Sequence, residues 1–126
     1  MKLNDRDPLT ERIIGCAIEV HRNLGPGLLE SAYEQCLAHE MTLQGLAFRL
    51  QVPVPVNYKG LMLDCAYKAD VFMQNGVVIE LKSVDSLTGM HQAHLLTYMK
   101  LSSVTTGLLI NFNVRRLIDG LVRLRI

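Results

Sequence analysis

The chain has 126 residues, 49% of them hydrophobic and 20% charged, with a formal net charge of +1. That length and apolar content support one domain, residues 1–126, which needs no covalent staples and is not disordered. A net charge this small gives no global pull toward nucleic acid or an anionic membrane, so a polyanion would have to be held by a local patch or through a metal.

Cys16, Cys36 and Cys65 are odd in number, widely spaced and form no CxxC pair. They read as buried small hydrophobes in a reducing compartment, and the spacing excludes a zinc ribbon. The N-terminal MKLNDRDPLTER is too charged for a signal peptide, and no apolar run approaches the roughly 20 residues that span a bilayer. The expected location is cytoplasmic, with no membrane partner.

Asp7-Pro8 predicts the cap and first residue of a helix in which Ile13, Ile14, Ala17, Ile18 and His21 recur at helical spacing. His21 ends the apolar stripe and is expected to pack or cap rather than catalyse. Leu24-Gly25-Pro26-Gly27 stops the helix. A second helix from about Leu28 carries Leu29, Ala32, Tyr33, Cys36, Leu37 and Met41 on one side, and Gly45 is its expected C-cap. Glu30 falls in its first turn, where the helix dipole favours an anion, and Tyr33 shares its face.

Residues 47–58 alternate, with Phe48, Leu50, Val52, Val54, Val56 and Tyr58 on one parity and Pro53 and Pro55 on the other. The missing proline N–H groups then point to one side, which predicts a sheet edge. Lys59-Gly60 turns the chain into a strand through Leu61, Leu63 and Cys65.

The stretch YKADVFMQNGVVIELK, Tyr67 to Lys82, reads as a β-hairpin with two candidate registers. A two-residue loop, Asn75-Gly76, mixes charge and hydrophobe on both faces. A three-residue loop, Gln74-Asn75-Gly76, gives one wholly apolar face of Val71, Met73, Val77, Ile79 and Leu81. The second register is the better one, and it sets Asp70 opposite Glu80, with Lys82 further along the same face.

Carboxylates with Cβ atoms about 5 Å apart repel unless something positive stands between them. Two carboxylates, a backbone carbonyl and waters make the oxygen shell that Mg²⁺ prefers. An ordinary surface hairpin with one salt bridge fits the pattern equally well.

A helix from about Thr88 to Leu101 follows, with Met90, Ala93, Leu96, Thr97 and Lys100 on one side and His91, His94, Leu95 and Tyr98 on an adjacent stripe. Two histidines three apart could ligate a transition metal, but no Cys or third His lies nearby, which disfavours zinc. Val104 to Phe112 fits a strand buried on both faces, and strand, helix, strand in this length predicts a parallel pair. Arg116 to Ile126 alternates as a last strand. Arg115, Arg116, Arg123 and Arg125, with Lys100, form the one basic concentration, which is either a phosphate-backbone contact or a solvated edge.

In order, these elements resemble the PD-(D/E)XK nuclease superfamily. The fold class implied is α/β, an α-β-β-β-α-β core with a mixed sheet flanked by helices, plus an extra N-terminal helix and a C-terminal strand. The likeness is narrower to the small bacterial GxxExxY proteins, whose motif stands here as Gly27-Leu28-Leu29-Glu30-Ser31-Ala32-Tyr33. AIEVHRNLGPG, QVPVPVNYKG, IELKSVDSLT and GLLINF are also similar to that family.

The resemblance implies that Asp70, Glu80 and the Leu81 carbonyl bind Mg²⁺ or Mn²⁺. Lys82 would orient or activate the attacking water, and Glu30 would reach the same metal from its helix. Related nucleases often carry Gln four residues before a Tyr on the helix after the ExK strand. Here His94 holds that place before Tyr98, and Gln92 lies about 200° around the helix from it. The implied activity is phosphodiester hydrolysis of DNA, with RNA open and pairing of two copies compatible. The alternatives are a non-catalytic nucleic-acid- or protein-binding module on the same fold, or an oligomerising structural protein that pairs its terminal strand.

Overall fold

A computed structural model describes residues 7–63 and 67–126. Helices α1 (Pro8–Leu24) and α2 (Glu30–Leu43) lead into β1 (Phe48–Pro53), then a short ribbon of β2 (Val56–Tyr58) and β3 (Leu61–Leu63). The hairpin β4 (Lys68–Met73) and β5 (Val77–Lys82), helix α3 (Gly89–Ser102), β6 (Thr106–Asn111), a 3-10 turn at Leu117–Gly120 and β7 (Leu121–Arg125) complete the order. The main sheet runs β1-β4-β5-β6-β7 and is antiparallel except where β5 pairs parallel with β6.

Three layers follow from the side-chain parity. Val71, Met73, Val77, Ile79, Leu81, Leu108 and Ile110 pack against Ile13, Ala17, Tyr33 and Leu37 of α1 and α2. The opposite face, with Val78 and Leu109, packs on Leu95 and Met99 of α3. β5 and β6 are therefore covered on both sides, as a parallel pair requires.

The hairpin takes the three-residue loop: Met73 faces Val77, and Gly76 carries a φ of 89° between them. The helix starts expected at Asp7 and Thr88 also stand. The Asp7 side chain accepts from the Leu9 N–H at 3.3 Å, and Thr88 and His91 form a reciprocal capping box. His91 is thus occupied in a cap. His21 is buried with its Nε2 donating to the Val114 carbonyl at 2.7 Å, the packing role expected of it.

Several expectations change. Residues 47–58 are two strands, because the chain leaves the main sheet after Val54, whose N–H is the last to reach it, at the Tyr67 carbonyl. Pro53, the last residue of β1, does sit at an edge, since β1 borders only β4, whereas Pro55 lies between β1 and β2. β3 pairs with β2 rather than with the main sheet. Helix α2 begins at Glu30, and Leu29, expected on its apolar side, is 77% exposed, because it caps the helix instead of entering it. Ile18 turns outward, and α3 buries Leu95 and Met99 rather than the Met90 side. The terminal alternation begins only at Leu121, after the 3-10 turn. Cys16 is buried, Cys36 half-buried, both as free thiols; Cys65 lies outside the described residues. Burial, then the nearby Glu40 carboxylate, pushes the Cys16 thiol up.

Two glycines allow the packing to be tested. A Cβ at Gly120 would overlap the Asn111 carbonyl, a backbone atom that cannot move aside cheaply, whereas a Cβ at Gly15 in α1 meets nothing. Gly120→Ala is expected to lower stability by about 1–3 kcal/mol. Gly15→Ala should raise it by about 0.5–1 kcal/mol by restricting the unfolded chain. Urea titration of the two variants checks both signs.

Candidate active site

The β4–β5 ladder runs through Val71–Ile79 and stops there. One step further the strands part, and two carboxylates replace the missing ladder bonds. The Leu81 N–H donates to Asp70 Oδ2 at 2.8 Å, and the Asp70 N–H donates to Glu80 Oε1 at 3.3 Å. Asp70 and Glu80 are thus brought together as the register implied. Their side chains meet at a fork, with each strand's amide held by the other strand's carboxylate.

Glu80 is 5% exposed. Burial, then the Asp70 charge, then a hydrogen bond shared with the Asp70 carboxyl, push its pKa up to about 9, against a smaller opposing pull from Lys82. Without a cation, Glu80 therefore holds a proton at neutral pH. Lys82, the last residue of β5, is half-exposed at the same end of the strand.

A third carboxylate arrives from α2. Gln51 donates its amide N–H groups to Glu34 Oε1 at 2.7 Å and to Asp70 Oδ1 at 3.2 Å. Burial, and after it the Asp70 charge, raise Glu34, while the Gln51 hydrogen bond lowers it. Gln51 has a φ of 52°, the left-handed region that side-chain-bearing residues rarely enter in a strand. Gln51 opens the family-like stretch QVPVPVNYKG but has no role read from it, and Glu34 falls in no motif. Glu34 stands one helical turn beyond Glu30, and that spacing was the available signal. Glu30 itself opens α2, exposed, beside Ser83 in a shallow depression. No hydrogen bond among the described residues ties it to Asp70 or Glu80.

Tyr33, expected on the apolar side of α2, is fully buried there, while Glu30, expected to share its face, is exposed. Its ring stacks on Phe112 at 4.4 Å, its hydroxyl donates to the Gly25 carbonyl at 2.6 Å, and the Leu28 N–H donates to it at 3.1 Å. Tyr33 thereby fixes the turn that delivers the start of α2, while the Ser83 hydroxyl ties that turn to the end of β5 through the Leu28 carbonyl at 2.6 Å.

On the α3 side, Tyr98 packs on the cluster that holds Ala69 and Val78, and burial, then the charges of Glu80 and Asp70, push its hydroxyl pKa up. Tyr98 and His94 line a cleft of about 430 Å³ with Thr97, Leu101, Tyr67 and, from the ribbon, Val56 and Leu63. Among the basic residues, Arg123 is drawn inward to Glu11 at 2.8 Å. Among the described residues, no group of three or more His, Cys, Asp or Glu side chains could cage a metal alone, and no helix is long and apolar enough to cross a membrane. The donors at the fork are all oxygens, two from carboxylates, which suits a hard divalent ion completed by water.

Because Glu80 keeps its proton in the folded state up to about pH 9 but loses it near 4.5 when unfolded, the unfolded chain binds fewer protons between those values. Stability of the metal-free protein should therefore be greatest below about pH 4.5 as far as this group is concerned, and fall across that window by at most about 1.4 kcal/mol per pH unit. Glu80→Gln should flatten the fall, as thermal melts from pH 5 to 9 would register.

A family model described as the PD-(D/E)XK nuclease superfamily matches residues 7–124. A solved structure of the protein SSO0001 is 20% identical, with a TM-score of 0.43 over 96% of this chain and 79% of its own, a likeness too slight to bear an argument. No curated protein matches. The arrangement of the helices, the mixed sheet and the Asp…Glu-x-Lys strand pair agrees with the family match, which covers nearly the whole chain: the protein belongs to the PD-(D/E)XK nuclease superfamily.

Proposed function

We propose that this protein is a divalent-metal-dependent phosphodiesterase that cuts nucleic acid, DNA in preference to RNA. The observation that carries the reading is the Asp70–Glu80 pair at the fork, Glu80 buried and Asp70 half-buried, next to Lys82. Burial makes ionisation of this pair costly unless a cation stands between the carboxylates, so the fork favours a bound divalent ion. Membership of a nuclease superfamily supports the same reading, and the narrower likeness to GxxExxY proteins rests on Gly27, Glu30 and Tyr33.

In this reading Asp70, Glu80 and the Leu81 carbonyl hold Mg²⁺ or Mn²⁺. Such an ion supplies Lewis acidity toward water and the phosphoryl oxygens. Lys82 donates through its ammonium to the phosphate or the attacking water and offsets the charge that develops there. Glu34, kept in line with Asp70 by Gln51, and Glu30 one turn before it, accept hydrogen bonds from water on the α2 side. His94, standing where relatives often have Gln, and Tyr98 donate to the substrate from α3. The free thiols of Cys16 and Cys36 agree with a reducing, cytoplasmic setting.

Purified protein should cleave labelled oligonucleotides in Mg²⁺ or Mn²⁺ and not in EDTA. Asp70→Ala should abolish cleavage, Lys82→Ala should lower kcat about 100-fold or more, and Glu34→Gln about 10- to 100-fold. Equal cutting by wild type and Asp70→Ala would expose a contaminant. Metal binding without cleavage of any strand, branch or duplex would leave the binding-module reading.

Since the ion must displace the Glu80 proton, Mn²⁺ affinity should rise with pH toward 9, up to about tenfold per unit. Calorimetric titration should find that slope in the wild type and lose it in Glu80→Gln.

A further inference from the structure

Of the cleft on the α3 side, the chemistry just described uses His94 and Tyr98 and leaves Tyr67, Thr97 and the ribbon residues without a role. Tyr67 enters it just ahead of β4, 51% exposed, in a chain whose aromatic residues are only 6% of the total. Its ring stands 6.4 Å from that of Tyr98 with the planes 57° apart, so the two rings do not stack on one another. His94 and Thr97 give the cleft a polar rim on α3, and Tyr98 packs on the cluster holding Ala69 and Val78, which stand next to Asp70 and two residues before Glu80 in their strands.

Charge points the same way. With a net charge of +1 and Arg123 committed to Glu11, global charge does little to hold a phosphate backbone, which leaves that task to local cations such as the exposed Arg115 and Arg116. Stacking on aromatic rings is the other source of affinity for a nucleic acid strand, and it requires a base whose face is free of a neighbour. A base inside a duplex offers no such face; an unpaired one does. At about 430 Å³ the cleft has room for a nucleobase, within the range of small-ligand pockets.

We propose that this cleft is a base-binding subsite, in which an unpaired nucleobase of the substrate strand lies against Tyr67 and Tyr98 while its phosphate meets the carboxylate pair. This rests on the phosphodiesterase reading above and deepens it: the substrate is single-stranded nucleic acid or an unpaired end. The rings and rim serve DNA and RNA alike, since both present the same base faces.

Fluorescence anisotropy with labelled oligodeoxythymidylate, oligouridylate and a DNA duplex of equal length, in Ca²⁺ instead of Mg²⁺, tests it. Wild type should bind the single strands more tightly than the duplex. Tyr67→Ala should weaken single-strand binding about tenfold and leave the duplex unchanged, whereas Tyr67→Phe should bind as wild type. Thr97→Glu, which places a negative charge at the rim from an exposed helix position, should give the same selective loss. Single-strand binding untouched by Tyr67→Ala, or an equal loss for strand and duplex, would overturn the subsite. Cleavage separates the two readings. Metal-dependent cutting with Tyr67→Ala at wild-type kcat/KM on single strands removes the subsite and keeps the nuclease. Tyr67-dependent strand binding without cleavage upholds the subsite and removes the nuclease.

Discussion

Where β4 and β5 part, the backbone amides of Asp70 and Leu81 lose their ladder partners inside a folded protein, and two side-chain carboxylates take their place. Buried amides have to be satisfied, so the carboxylates are held by a structural need before any chemistry is asked of them. The exchange also fixes their rotamers. It concentrates negative charge at a spot where Glu80 can be relieved only by a proton or a cation. Much of the remaining architecture serves this fork: β5 lies at the middle of the sheet, covered by α1 and α2 on one face and α3 on the other, which limits the water that could supply the missing bonds.

The supports around the fork are polar contacts at element ends. Tyr33 binds the Gly25–Leu28 turn and stacks on Phe112, whose own N–H reaches the Lys82 carbonyl at 3.0 Å. Asn111, buried at the end of β6, accepts from the Val84 N–H and donates back to the Val84 carbonyl. The exit of β5 and the entry of α2 are thus tied to the same strand end. In this frame the tyrosine of the GxxExxY stretch is a structural hub, and the glycines are explained by backbone: Gly25 and Gly27 have φ values of 67° and 102°.

Gln51 shows how the α2 side is coupled to the fork. Its left-handed backbone costs of order 1–3 kcal/mol, and its amide holds Glu34 and Asp70 in register with each other. Strain at the edge strand and charge repulsion at the fork are offset by the same two hydrophobic clusters that sandwich the sheet. A site arranged this way is preorganised, with its carboxylates already oriented in the absence of substrate or ion.

The sequence by itself determined the local pieces: the caps at Asp7 and Thr88, the three-residue loop at Gly76, the buried parallel strand, and Asp70, Glu80 and Lys82 as neighbours. Each follows from side-chain alternation, turn chemistry or proline geometry, which act over a few residues. The family likeness was legible for the same reason, since its motifs are short.

Only the tertiary structure decided that the ladder opens at Asp70, that Glu34 and Gln51 join it, and that Glu30 stays exposed. It also decided that residues 47–58 divide between two sheets. These outcomes depend on contacts between elements distant along the chain. Periodicity reports which face of an element is apolar, but not which other element will lie against it.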